Sequence, residues 1–428
     1  MSNNSASETI NSFLKFGIRP GLERIEKLLN LIGNPQKNLK CIHIAGTNGK
    51  GSISSFISSI LRESGYKVGL YISPFVTNFR ERIQVNGEMI SEKSLEETLD
   101  YVNVFVEQMK NDGEVITEFE LITAIALMYF SNQNCDIVVL ETGLGGRFDA
   151  TNVIESPLAS VITHIALDHT KILGDTLSKI AYEKAGIIKE NSVTVVYPDQ
   201  EREALEVIED VAEKRKNNLI IPNPEAVKDV SVALSGSDFT YKGDWFSLSL
   251  LGRHQIKNAI TAIETIYSLK YAGIDINIDC IKKGLKKVKF PARMEVVSLD
   301  PLVILDGSHN PDSILALKET IGEIIPFQNN IAIVGMLKDK DIESSLSILS
   351  SCFKKVITVD ISNSRAIGSK ELANIAKSYF SNVYYSNSID EALNMAMDFV
   401  NKEESNLIVF GSLYLAGEIR EKIISKII

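Results

Sequence analysis

The chain has 428 residues, 44% hydrophobic and 23% charged, with a net charge of −10. That much apolar material supports more than one packed core, because single cores rarely grow this far. The acidic balance excludes broad attraction to nucleic acid or to an anionic lipid surface, both of which need an extended basic face, so an anionic ligand must be held by local groups.

No stretch reaches the roughly 18 uninterrupted apolar residues of a membrane helix, and residues 1–40 lack the basic start and apolar run of a secretory leader. A cytoplasmic protein with no membrane or nucleic-acid partner is expected. Cys41, Cys135, Cys280 and Cys352 are widely spaced, which signals neither a metal cluster nor a disulfide framework.

In chain order, "GLERIEKLLNLIGNPQ" has the apolar spacing of an amphipathic helix. Val- and Ile-rich runs at 40–45, 67–72, 136–141, 158–164 and 193–197 then alternate with longer helix-period segments. This is the α/β pattern of a parallel sheet covered by helices on both faces. Between 217 and 250 the pieces "VSVAL", "DFTYKG" and "WFSLSL" alternate over short spans broken by Ser, Gly and Asp, predicting antiparallel hairpins as a local insert. A helix resumes in "HQIKNAITAIETIYSLKYAG", helices end near Lys289, and "FPARME" supplies a proline and a new strand. The domain boundary is placed there, giving 1–291 and 292–428. In the second part "LVILDG", "NIAIVG", "KVITVD" and "NLIVFG" alternate with helices, predicting a second, Rossmann-like doubly wound domain.

The most specific segment is "CIHIAGTNGKGSISSFISSILRESG", a strand, then Gly46, Thr47, Asn48, Gly49, Lys50, Gly51 and Ser52, then an amphipathic helix. Glycines let backbone N–H groups turn inward around phosphate oxygens, the helix N-terminus adds positive dipole, and Lys50 adds a mobile charge. The spacing departs from the standard Walker form, since Gly51 stands between Lys50 and Ser52.

Other candidates read in two ways. Glu141 ends the strand "DIVVLE", where open α/β sheets gather ligands, yet turn amides alone would satisfy a strand-end carboxylate. His169 follows Asp168 in "ITHIALDHTKILG", whereas His164 is expected to pack or bond locally. Ser73 in "LYISP" ends a strand and fits a turn role equally. Lys184 shares a helix face with Ile180 and Ile188, the setting of a lysine whose stem lies on the core and whose amine reaches water. His254 and Asn258 share a helix face, where they face a nucleotide or merely cap and pave the helix. In "ILDGSHNP", Asp306 and His309 follow a strand, with a tight Asp-Gly turn capping the next helix as the alternative. Phe119 reads as core and Arg82 as a solvated strand-edge residue on their own evidence.

"GTNGKGS", "GLGGRFDATN" and "DGSHNP" together resemble the folylpolyglutamate and dihydrofolate synthases of the Mur ligase superfamily. The resemblance spans nearly the whole chain and favours the folate branch over the cell-wall Mur ligases. It implies an N-terminal P-loop ATPase-type domain with a small antiparallel insert and a C-terminal Rossmann-like domain. It implies ATP on the loop Gly46–Ser52 and on His254, Asn258, Arg293, Asp306 and His309, and magnesium on Ser52, Ser73, Glu141 and His169. It further implies a carbamylated Lys184, a monovalent cation, and acceptor contacts from Arg82, Phe119, Arg147 and Asp149. Lys50, Glu141, His169 and Lys184 would act in catalysis. Phe75 stands where the family often has His, and Ser308 where Ala is usual.

The expected reaction is ATP-dependent addition of L-glutamate to a reduced folate through an acyl phosphate by a monomeric enzyme. Two alternatives stay open: a bifunctional enzyme that also takes dihydropteroate, and a nucleotide-controlled binding protein without ligase activity.

Overall fold

The apolar runs of the first half become the interior strands of one sheet, as burial on both faces requires. The computed structural model describes residues 5–17, 19–326 and 329–427. Its first eight strands are β1 (Cys41–Ala45), β2 (Val68–Tyr71), β3 (Ile83–Val85), β4 (Glu88–Met89), β5 (Ile137–Glu141), β6 (Ala159–Ile162), β7 (Val193–Val196) and β8 (Asn218–Ile220). They lie in the order β4-β3-β2-β5-β1-β6-β7-β8. Strands β2, β5, β1, β6, β7 and β8 are parallel, and β3 and β4 fold back antiparallel at one edge. Every residue of β1, β2, β5, β6 and β7 is buried. The polar exceptions there are His43, Glu141, Ser160 and Thr194.

From β1 the chain passes to β2 on one side, whereas from β5 it crosses β1 to reach β6 on the other. The carboxyl ends of β1, β5 and β6 therefore form the switch region where open α/β sheets hold ligands. One face is covered by helices Glu23–Leu31, Glu92–Asn111 and Glu118–Asn132, with Leu28, Leu95, Leu99, Leu121 and Ile125 in a common core. Helix Glu118–Asn132 is apolar around most of its circumference because the other two pack over it. Across the sheet Ile162, Ile180, Ile188, Val196 and Ile208 form a second core layer.

Strands β9 (Val227–Ala233), β10 (Gly236–Tyr241) and β11 (Asp244–Leu248) form the expected antiparallel sheet, in the order β11-β10-β9. The last sheet has the order β12-β13-β17-β14-β15-β16, from β12 (Glu295–Leu299), β13 (Leu302–Leu305), β14 (Asn330–Val334), β15 (Lys355–Val359), β16 (Val383–Ser386) and β17 (Asn406–Phe410). It is parallel except for β12, and helices cover both faces.

By packing, the chain divides into Met1–Ala226 with Lys257–Leu285, and Val227–Ile256 with Lys286–Ile428. The hairpins, expected as an insert of the first domain, thus group with the second unit, where β9 packs on helix Pro311–Ile324. The division falls within helix Arg253–Ser268.

Candidate active site

The loop after β1 is held against the segment that follows β6. Thr47 and Asn48 donate their N–H groups to the His164 carbonyl at 2.8 and 3.2 Å. Thr47 Oγ1 donates to the Ala166 carbonyl at 3.0 Å and accepts from Ala166 N at 3.1 Å, and Thr163 Oγ1 donates to the Asn48 carbonyl at 2.8 Å. The segment after β6 is braced in turn by Gln200, whose side chain bonds the Thr163 carbonyl and Ile165 N at 2.8 and 3.0 Å. A Cβ on Gly46 would stand 1.7 Å from Thr163 Oγ1, so only glycine fits beneath that hydroxyl. Helix Lys50–Glu63 then begins, and its first-turn N–H groups have no carbonyl one turn back within the helix. Asn258 is buried against the loop, its Oδ1 2.6 Å from where a Gly49 Cβ would stand. His164 packs its ring edge-on to Tyr197 at 5.2 Å, as expected of a local role.

Two lysine side chains meet at the Gly46 carbonyl. Lys50 Nζ donates to the carbonyls of Gly46 and Thr47 at 3.1 and 3.2 Å, and Lys184 Nζ donates to that of Gly46 at 2.7 Å. Lys184 is 3% exposed, so its amine does not reach water as an ordinary core-edge lysine would. Burial, and then the nearby Lys50 charge, hold Lys184 well below the usual lysine pKa, against the opposing pull of Asp168 and Asp149.

Glu141 ends β5 with 3% exposure, and its Oε2 accepts from the Ser73 backbone N–H at 3.4 Å. Ser52 is buried in the first turn of helix Lys50–Glu63. His169 takes a left-handed backbone, φ 50°, and donates its N–H to Asp168 Oδ1 at 2.8 Å, leaving its ring partly exposed. Among the described residues no three His, Cys, Asp or Glu side chains cluster to hold a metal. One carboxylate with hydroxyls fits magnesium, which keeps several waters and arrives on phosphate, better than an ion needing an all-protein cage.

The loop Gly143–Asn152 lies beside this edge. Gly146 must be glycine because a Cβ would meet the Lys184 carbonyl at 2.7 Å. Arg147 Nη2 pairs with Glu183 Oε1 at 2.9 Å, its guanidinium 4.4 Å from the Phe148 ring centre and 4.9 Å from that of Tyr182. Asp149 is buried with both oxygens engaged: Oδ1 accepts from Thr151 N at 3.0 Å and Thr151 Oγ1 at 2.6 Å, and Oδ2 accepts from Leu144 N at 2.8 Å. Burial raises its pKa while these bonds lower it.

Arg82 is no solvated edge residue. It lies 3.1 Å from the buried Glu118 carboxylate and within 5.6 and 5.3 Å of the Phe75 and Phe79 ring centres. Burial raises the Glu118 pKa, and the Arg82 charge opposes this. Phe119 is half-buried, its ring 6.0 Å from that of Tyr71.

In the second unit Asp306 does not cap the helix that follows. Asn310 does, accepting from Ser313 N at 2.9 Å, with Pro311 in the first turn. Asp306 instead accepts from Met294 N and Ser308 N, both at 2.8 Å, and so ties the end of β13 to the approach to β12. Arg293 stands between Ala292 and Met294, which have φ of 54° and 47°, and lies 5.3 Å from the Phe290 ring centre. His309 Nδ1 lies 2.8 Å from the Gly307 carbonyl, which can only accept, so the proton is on Nδ1. His254 and Asn258 lie on one helix, Arg253–Ser268.

Sequence reasoning passed over His43. It is fully buried in the middle of β1, its Nε2 2.8 Å from Thr151 Oγ1 and its Nδ1 without a hydrogen-bond partner. Burial lowers its pKa to about 3, so the ring is neutral. The available signal was one imidazole inside an otherwise apolar strand.

A phosphate loop after the central strand of a parallel sheet, a strand-end carboxylate beside it and a second doubly wound unit define a P-loop-type α/β protein. Residues 44–266 match the Mur ligase middle domain and residues 292–413 the Mur ligase glutamate ligase domain. The chain is 36% identical over 435 residues to the dihydrofolate synthase/folylpolyglutamate synthase of Bacillus subtilis, with 98% of each covered. It is 34% identical to the folylpolyglutamate synthase of Lacticaseibacillus casei, with 97% of each covered. The folylpolyglutamate synthase of Mycobacterium tuberculosis, solved with ADP and AMPPCP, superposes with a TM-score of 0.91 at 29% identity, over 98% of both chains. The chain belongs to the folylpolyglutamate/dihydrofolate synthase family of the Mur ligase superfamily.

Proposed function

We propose that this chain is an ATP-dependent ligase joining L-glutamate to the glutamyl carboxylate of a reduced folate, releasing ADP and phosphate. The observation that carries the reading is the loop Gly46–Ser52, clamped by the β6 segment so that the open N-terminus of helix Lys50–Glu63 is left to receive phosphate. A carboxylate cannot expel oxide, so the acceptor carboxylate attacks the γ-phosphate and forms an acyl phosphate. The neutral amine of glutamate then attacks that carbonyl, and the tetrahedral intermediate expels phosphate to leave an amide.

Lys50 would exchange its backbone carbonyls for the triphosphate and balance charge as it moves. Ser52, Ser73, Glu141 and His169 would hold magnesium, whose chemistry is neutralisation of the triphosphate. Lys184, whose pKa burial lowers, would be the amine that carbon dioxide converts to a carbamate beside the loop. Arg82, Phe119 and Arg147 are proposed on the acceptor side, with Asp149 acting through the shape of its loop because its oxygens are already engaged. His254, Asn258, Arg293, Asp306 and His309 are proposed nucleotide contacts, and the glutamate site is assigned to the second unit on the strength of its family match. The enzyme would work in the cytoplasm as a monomer, with a monovalent cation as a further ligand.

Dihydropteroate as a second acceptor is favoured by the double name of the Bacillus subtilis relative. Purified protein with magnesium, ATP and glutamate, given tetrahydrofolate or dihydropteroate in parallel, tests both readings by ADP release and product mass. Glutamyl units added to tetrahydrofolate support the first, and a dihydropteroate product adds the second. Absence of both products from protein that binds nucleotide would overturn the ligase reading.

A further inference from the structure

We propose that His43 is a positioning residue for the acceptor side of the site, fixing the Thr151 hydroxyl that anchors the loop Gly143–Asn152 to the central strand. The inference rests on the reading that this loop, through Arg147 and Asp149, faces the acceptor. Thr151 Oγ1 has one proton, and the Asp149 carboxylate, 2.6 Å away, takes it. The contact from His43 Nε2 to the same oxygen, at 2.8 Å, then requires the proton on Nε2. The direction of the chain follows: His43 donates to Thr151, Thr151 donates to Asp149, and Asp149 receives Leu144 N across the loop at 2.8 Å. Asn152 fastens the loop's other side, donating to the Arg147 and Gly186 carbonyls at 3.0 and 3.3 Å.

His43 lies two residues before the end of the strand that leads into the phosphate loop, and its Nδ1 is buried without a partner. An apolar residue would suit that place in the core better, so the imidazole is explained by what Nε2 holds. The arrangement makes β1 serve both ligands, the nucleotide through its end and the acceptor loop through its middle.

The test is steady-state kinetics of the full chain with His43→Leu and His43→Gln, since the glutamine amide can replace Nε2–H. His43→Leu should raise the acceptor KM about tenfold, the effect of one uncharged hydrogen bond, with the ATP KM essentially unchanged, and His43→Gln should restore most of it. If His43→Leu does not fold, Thr151→Val cuts the same link from the other side. Nitrogen NMR of the histidine rings should show His43 as the neutral Nε2–H tautomer. An Nδ1–H tautomer, an unchanged acceptor KM, a joint rise of both KM values, or no rescue by glutamine would each overturn the proposal. Arg147→Ala judges the acceptor-side reading separately, because an unchanged acceptor KM there defeats that reading while the tautomer still decides the link.

Discussion

Gly46→Ala puts the geometry of the phosphate loop to a direct test. The new methyl would lie 1.7 Å from Thr163 Oγ1, 2.8 Å from its Cβ and 3.0 Å from its Cα, so rotating the Thr163 side chain relieves only the first contact. The loop must then lift from β6, and Thr163 Oγ1 loses its bond to the Asn48 carbonyl. Overpacking costs about 1–3 kcal/mol and the lost hydrogen bond about 1 kcal/mol, giving a loss of about 2–4 kcal/mol. For a unit of this size that lowers the melting midpoint by roughly 5–10 °C. Because the same lift displaces the carbonyl that holds Lys50 and Lys184, the ATP KM should rise by about tenfold or more. Calorimetry and coupled ADP release read the two effects. Adding Thr163→Gly, which removes both clashing side-chain atoms, should recover part of each, with a coupling of about 1 kcal/mol or more. A Gly46→Ala protein with wild-type melting and ATP KM would refute the reasoning.

Lys50→Ala should fold normally, since the ammonium bonds only backbone carbonyls of its own loop, yet lose about 100-fold or more in turnover with weaker nucleotide binding; near-normal synthesis would defeat its role. The folded-state pKa of His43, about 3, lies below the ordinary 6.5. As pH falls below 6.5 the unfolded chain gains a proton that the folded chain refuses, and stability is lost. Between pH 6.5 and 4.5 the wild type should therefore lose about 2.3 kcal/mol more than His43→Gln in urea unfolding, and parallel curves would sink the idea. The folded-state pKa of Lys184 lies well below 10.5, so the unfolded chain again holds more protons and stability rises with pH up to that value. Lys184→Met should flatten this rise in carbon-dioxide-free buffer, and an unchanged slope would show that the buried amine keeps its proton.

The parallel strands were legible because strands covered on both faces must be continuous apolar runs, as in Ile137–Glu141 and Val193–Val196. The edge strands β3 and β4 were not, since they are short and partly exposed and impose no such run. Nor was the grouping of the hairpins with the second unit, because β9 meets helix Pro311–Ile324 across a long chain separation that local patterning does not record. The site divides along the same line. "GTNGKGS" announces itself because a backbone cradle needs glycines at fixed spacing, whereas the Lys184 bond to Gly46 spans 138 residues and the His43 bond to Thr151 spans 108. The His43 contact leaves one trace in sequence, a polar residue where the sheet demands an apolar one. Glu141 reaches Ser73 N, Ser160 bonds the Ile187 carbonyl and His43 holds Thr151, while Thr194 Oγ1 has no partner and bears on no ligand loop. Here the buried polar exceptions of β1 and β5, His43 and Glu141, are the ones that reach the segments Gly143–Asn152 and Ser73 beside the phosphate loop.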